Sequence, residues 1–288
     1  MNLKEYKYLR SVSLIVNSET GKALDLSGLR ISFSVTKGDF SSPNHAEISV
    51  FNLSDETASK IRKEYKEIIL SAGYNDGLGL IFRGNIRRYW IGGQWGLDYD
   101  KTPTDNIMTF SCLDGDSQLQ KSFVCMSMKS GSTQEDTLSE LEKALKENGI
   151  FEGQKTELPK GETLPRGKVL FGNVSDLLTD YSRNVSASWS IQDGRLVVLS
   201  SRKLLPTEEM VFSAENGLIG MPKRSDRMIE FSTLLENRLR IGSNVRVKGV
   251  QGFYEIAGRV VTIEHKGDTH GPEWVTNVRA LVSDVTEQ

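Results

Sequence analysis

The sequence predicts a mainly β protein with an α+β module set between two β segments, and three observations carry that prediction. Apolar and polar residues alternate over short runs in the first and last parts of the chain. Turn-forming Gly, Asn and Asp residues punctuate those runs at short intervals. In between, the apolar spacing lengthens from the period of a strand to that of a helix. The expected boundaries are 1–118 for a first β-barrel domain, 119–208 for the mixed module and 209–288 for a second β-barrel domain.

In the first segment Val12, Leu14 and Val16 alternate with Ser11, Ser13 and Ile15. Leu29, Ile31, Phe33 and Val35 alternate in the same way with Arg30, Ser32, Ser34 and Thr36, so one face of each run is dry and the other wet. Ala46, Ile48 and Val50 repeat the pattern. A helix is expected from Ser54 to Lys63, because Ser54 can accept from the free N–H groups and Asp55 and Glu56 suit the positive end of the dipole. Ile68, Leu70 and Ala72 return to period two, and Asn75-Asp76-Gly77 supplies the positive φ values that a tight hairpin needs. Leu80, Phe82 and Ile86 are expected on one face of the returning strand, and Met108–Cys112 closes the segment near Asp114-Gly115-Asp116. A barrel or a strongly curled sheet is the expected form.

In the middle, Leu138, Leu141, Ala144 and Leu145 fall at helical spacing inside 132–148, with Gly149 as a stop. A polar stretch over 152–167 follows, then a short strand at Val169-Leu170-Phe171. Ser175 is the expected cap of a second helix with Val174, Leu177, Leu178 and Tyr181 inward. Trp189 and Ile191 lead through Gln192-Asp193-Gly194 into Leu196–Leu199, a hairpin with an Asp-Gly turn.

The last third reads as strands at Met210–Phe212, Ile229–Ser232, Val245–Val247, Gly252–Ile256, Val260–His265 and Trp274–Leu281. Several short strands at this spacing favour closure into a compact barrel over 228–281, since closure removes exposed edges.

Composition narrows the function. The hydrophobic fraction of 38% and charged fraction of 26% are globular values, and a net charge of −2 argues against a general nucleic-acid binder. With only Cys112 and Cys125 there is no disulfide framework, and both thiols are expected free. The charged start, Met1 to Lys7, lacks the apolar core of a signal peptide, and no stretch nears the ~18 apolar residues of a membrane span. The expectation is therefore a cytoplasmic start, with the sequons at Asn52, Asn173 and Asn184 unglycosylated.

Candidate chemistry is sparse. His265, Asp268 and His270 are metal-capable side chains, yet Gly267-Asp268-Thr269 also reads as a plain turn, with His265 ending a strand. Asp114 and Asp116 have the residue types of a glycosidase pair but sit where acids shape and solvate turns. Gly77-Leu78-Gly79 with Gly84 opens no helix, so it lacks the dipole of a phosphate loop. Arg83, Arg87 and Arg88, and separately Lys223, Arg224 and Arg227, form basic clusters suited to solvated strand faces or subunit salt bridges. Trp90 and Trp95 are candidate interface anchors, whereas Trp189 and Trp274 fall on the apolar phase of strands and are expected in the core. No catalytic, cofactor-binding or metal-binding residue is assigned.

The order of segments resembles the baseplate hub proteins of tailed bacteriophages, whose fold is shared with the hub portion of type VI secretion spikes. The resemblance rests on Ile31–Val35 before Ala46–Ser54, Ala72-Gly73-Tyr74 before Leu80–Gly84, and Gly172–Leu178 before Trp189-Ser190-Ile191. It rests also on Leu234-Leu235 before Ile241-Gly242-Ser243, and on His265–Thr269 before Trp274-Val275-Thr276. It implies two small tube-like β-barrel domains flanking a mixed α/β module. It further implies a homotrimeric ring joining a hexameric tail tube, or a tube-adaptor ring, to a threefold tip or spike protein. Tape measure and baseplate wedge proteins are further implied partners, DNA is only passing cargo in the lumen, and no active site is implied. Such a protein would be assembled in the host cytoplasm and reside in the virion baseplate. The alternatives are a metal-dependent hydrolase of the tail tip using His265, Asp268 and His270, or a glycan and host-surface binding module presenting Trp95.

Overall fold

In the computed structural model, which describes residues 9–18, 20–75, 77–91, 106–158, 163–200, 205, 208–249 and 255–282, the alternating runs become strands. The first segment supplies β1 (Arg10–Ser18), β2 (Ala23–Asp25), β3 (Ile31–Gly38), β4 (His45–Phe51), β5 (Tyr65–Tyr74), β6 (Gly79–Ile91) and β7 (Ile107–Leu113). Helix α1 (Asp55–Glu64) lies between β4 and β5, and Ser54 Oγ accepts the Thr57 N–H at 3.2 Å, the cap its sequence predicts. The strands pair in the order β3-β4-β7-β6-β5-β1-β2. Leu14 and Val16 of β1 nevertheless share one core with Ile31, Phe33 and Val35 of β3, so this run of strands curls until its two ends face a common interior. One inward face differs from expectation. A bulge opposite Leu70 and Ser71 makes Ile81 an extra residue on β6, so Ile81 and Phe82 are both buried and Leu80 is only half-buried.

Residues 38–44 and 114–208 form a separate compact unit. It contains α2 (Asp116–Lys121), β8 (Phe123–Met128), α3 (Gln134–Glu147), β9 (Phe151–Lys155), β10 (Lys168–Asn173), α4 (Val174–Asn184), β11 (Ala187–Gln192) and β12 (Arg195–Ser200). Thr133 and Asp136 close a reciprocal cap at the start of α3, with bonds of 3.1 and 2.7 Å that satisfy two free N–H groups. At α4 the cap is Asn173 and not Ser175: Asn173 Oδ1 accepts the Ser175 N–H at 2.9 Å, while the Val174 N–H is already bonded to the Ser122 carbonyl at 3.0 Å. The β11–β12 turn has Asp193 at φ 54° and Gly194 at φ 77°, the paired positive values an Asp-Gly hairpin supplies. Leu141 and Leu145 of α3, Val174 and Leu178 of α4, and Trp189 and Val198 of the hairpin meet in one core. The stretch that begins at Glu152 is not wholly irregular, because β9 adds in parallel to β12.

The last segment supplies β13 (Met210–Phe212), β14 (Leu218–Arg224), β15 (Met228–Leu234), β16 (Asn244–Lys248), β17 (Glu255–Asp268) and β18 (Trp274–Val282). Residues 252–254, expected to begin a strand, lie outside the described residues, and 255–268 run as one strand where two were expected. His265 therefore does not end a strand. Strand β17 pairs with β16 through its first part and with β18 beyond, with a register shift between Val260 and Thr262. It also pairs with β3, so the first and last segments share a single 13-stranded sheet within one compact unit. Two hairpins, β3–β4 and β17–β18, thus lie side by side at the centre of that sheet.

Candidate assembly interface

The residues nominated as a metal cluster serve that central junction. His265 is 1% exposed on β17, with Nδ1 2.9 Å from Thr276 Oγ1. Asp268 binds Arg30 through Oδ2 to Nη2 at 2.8 Å and accepts the His270 N–H at 2.8 Å. His270 Nδ1 lies 3.0 Å from Thr269 Oγ1. Among the described residues no group of three or more His, Cys, Asp or Glu is placed to hold a metal ion. The turn instead fastens β17 to β3: the Thr269 N–H donates to the Ile31 carbonyl and the Ile31 N–H to Thr269 Oγ1, each at 3.0 Å. Arg10 extends the staple with bonds to the carbonyls of Gly271 (2.6 Å) and Pro272 (3.0 Å). Partial burial pushes the Asp268 carboxyl upward, but the Arg30 guanidinium and the His270 N–H prevail and hold it below its usual range.

Burial, with Lys37 and Arg240 nearby adding to it against an opposing Glu236, pushes His265 down from its usual 6.5 to about 3. The folded protein thus keeps this ring neutral where the unfolded chain protonates it. Its contribution is fully present above pH 6.5 and is lost as pH falls toward 3, because the unfolded state then binds the extra proton. Lowering pH from 7 to 5 should cost about 2 kcal/mol through this group. Urea midpoints at the two pH values measure it, and His265→Gln should flatten the difference; an unchanged slope in that variant would refute the assignment.

The other nominated residues separate by role. Asp114 is buried in the separate α+β unit, and Asp116 opens α2 and binds Gln120 Nε2, so the two acids form no solvated turn. Trp189 and Trp274 are core residues as expected; Trp189 Nε1 donates to Thr179 Oγ1 at 3.2 Å. Cys112 is buried and Cys125 exposed, both as free thiols. Arg83 pairs with Glu67 at 2.7 Å on an exposed strand face. Gly77 lies in the β5–β6 connection and Gly79 opens β6, and Asn237 Nδ2 donates there to the carbonyls of Ala72 (2.7 Å) and Gly77. Trp95 lies outside the described residues.

What the sequence reading missed is β14, which carries the Lys223-Arg224 cluster on one edge of the sheet. Its pairing with β15 breaks between Ile219 and Lys223, where Gly220 has φ 68° and Pro222 has no N–H to offer. A bulge, a proline and two cations are devices that stop a sheet edge from adding strands without limit. They leave side chains to make any contact: Met221 is 83% exposed and Ile219 stands beside it. Behind them lies a groove of about 420 Å³ bounded by Glu230, Ser232, Glu264, Asn277 and Arg279. Its polar groups bind one another, Ser232 to Asn277 at 2.8 Å, Asn277 to Glu264 at 2.9 Å and Arg279 to Glu230 at 2.9 Å. Such a surface offers an apolar lip over a saturated polar floor, which suits docking of another protein and supplies no activated nucleophile or base.

Solved structures share this combination of a mainly β fold and a mixed inserted module. A tail protein from Neisseria meningitidis matches at 13% identity and a TM-score of 0.61, covering 96% of this chain and 97% of that one. The 43 kDa tail protein of prophage MuSo2 from Shewanella oneidensis matches at 10% identity and 0.61, covering 94% and 96%. An E. coli type VI secretion component, described as similar to the T4 tail proteins gp27 and gp5, matches at 10% and 0.57, covering 96% of this chain and 78% of that one. No curated protein matches the chain in sequence. The chain belongs to the baseplate hub gp41 family, whose model matches residues 9–251, and is thereby a structural component of a phage tail. The resemblance read from the order of segments is borne out.

Proposed function

We propose that the protein is a hub ring of the tail baseplate, in which three copies join the sixfold tail tube to a threefold tip or spike. The observation that carries this reading is the family match together with the central pair of hairpins, β3–β4 and β17–β18, from which two arms of one sheet extend. Each arm acts as one tube-like barrel domain, so three chains present six similar faces. The mixed unit is the middle domain between them in sequence. The β14 edge, with Met221 and Ile219, is a lateral contact between copies, and the protein works through surfaces without chemistry of its own.

Co-expression with the tube and tip proteins, followed by mass photometry and negative-stain imaging, tests the ring. Threefold rings are expected; a chain that stays monomeric beside both partners would count against the reading. Replacing Ile219 and Met221 together by Asp should reduce ring yield at least tenfold. Thermal stability should scarcely change, because both side chains are exposed and such substitutions cost about 0.5 kcal/mol or less.

A further inference from the structure

Strands β8 and β10 form an antiparallel two-stranded ribbon of their own, with Cys125 opposite Phe171 and Ser127 opposite Val169. One face is anchored: Val124, Met128 and Leu170 enter the core of the α+β unit. The opposite face is apolar and open. Phe123, Val169 and Phe171 are 55, 67 and 67% exposed, and the two phenyl rings meet edge to face at 5.1 Å. Aromatic rings ordered on one another in water form a ready-made contact, since little side-chain freedom remains to be lost on docking.

Cations stand near the ends of the ribbon's two strands. Lys121 precedes β8, Lys129 follows it, Arg166 precedes β10 and Lys168 opens it, all four exposed. Among the described residues, none of these four is in an ion pair, although the chain as a whole is slightly acidic. Two such faces brought together would oppose cation to cation, which disfavours a symmetric contact with a second copy. Each strand of the ribbon also has one edge with no hydrogen-bonded neighbour strand among the described residues. An extended segment can add there, with alternate side chains falling on the Phe123–Phe171 face.

From these observations we infer that the β8–β10 ribbon docks an extended acidic and apolar segment of a different tail protein. Apolar side chains of that segment cover Phe123, Val169 and Phe171, and its carboxylates meet Lys121, Lys129, Arg166 and Lys168. The inference concerns a surface separate from the β14 edge, so it stands or falls independently of ring formation.

A photo-crosslinking phenylalanine analogue placed at position 171 of the full chain, in cells assembling tails, tests it, with Lys60 on α1 as the exposed control site. The expected crosslink, mapped by mass spectrometry, is to an acidic, apolar stretch of another tail protein. It should fall at least tenfold when Lys121, Lys129, Arg166 and Lys168 are all replaced by Glu, while Phe171→Ser should leave ring yield unchanged. In parallel, a labelled peptide of alternating Glu and Val should bind the purified chain in a salt-sensitive way, and one of alternating Lys and Val should not. Crosslinks to a second copy of this chain, binding to vesicles containing phosphatidylglycerol in preference to the acidic peptide, or a yield at 171 no higher than at 60 would each overturn the inference.

Discussion

Trp274→Ala is expected to lower the stability of the β unit by about 3–5 kcal/mol, the loss typical of truncating a large buried aromatic. Trp274 is 2% exposed and belongs to the core that also holds Leu14, Ile48 and Phe110. Its ring meets Phe33 of β3 edge to face at 5.5 Å, and the Arg10 guanidinium lies 5.5 Å from its centroid. Gly267 is required for the same contact, since a Cβ there would come within 2.4 Å of the Phe33 ring. The substitution thus empties the point where strands from the two ends of the chain are packed together. For a unit of this size the melting temperature should fall by about 10 °C. Trp274→Phe should cost far less, because it keeps most of the volume and removes a buried Nε1 that has no hydrogen-bond partner among the described residues. Calorimetry of both variants decides; equal losses would mean that packing against Phe33 is not what the residue supplies.

Asp114→Ala is expected to destabilise the α+β unit by about 3 kcal/mol, through charge-assisted bonds and not through volume. The carboxylate is 1% exposed and accepts the N–H groups of Asp193 (2.5 Å) and Gly194 (3.0 Å), both residues of the β11–β12 turn. Asn44 Nδ2 lies 3.4 Å from the same carboxylate and donates to the Ile191 carbonyl at 2.8 Å, so one acid holds the turn's positive-φ residues in place. Without it, two part-buried N–H donors lose their acceptor. Hydrogen exchange over 187–200 should accelerate in Asp114→Ala and less in Asp114→Asn, which retains one carbonyl oxygen. Protection identical to the parent chain in both variants would remove Asp114 from this role.

Where period and burial agree, the sequence was readable. Trp274, Thr276, Val278 and Ala280 alternate inward as their spacing predicts, and Ser54 caps the helix it precedes. Strand β8 escaped because Phe123 and Val124 are both apolar although they face opposite ways, so the run opens without alternation. Strand β14 escaped because Gly220 and Pro222 interrupt it at the bulge. Ser175 and Asn173 are both good caps by residue type, and the bond from Val174 to Ser122, 52 residues earlier in the chain, is what selects Asn173.

By itself the sequence determined the mainly β class, the apolar faces, the Ser54 helix cap and the Asp-Gly turn, and an order of segments specific enough to indicate the hub family. Tertiary structure alone decided that β3 and β17 are neighbours, that His265 is a buried neutral ring, and that Asp268 holds Arg30, a residue 238 positions away. The reason is physical. Period reports which face of a strand is dry, a property of adjacent residues, whereas the partner across a sheet and the dielectric around a side chain are set by segments that local spacing does not encode.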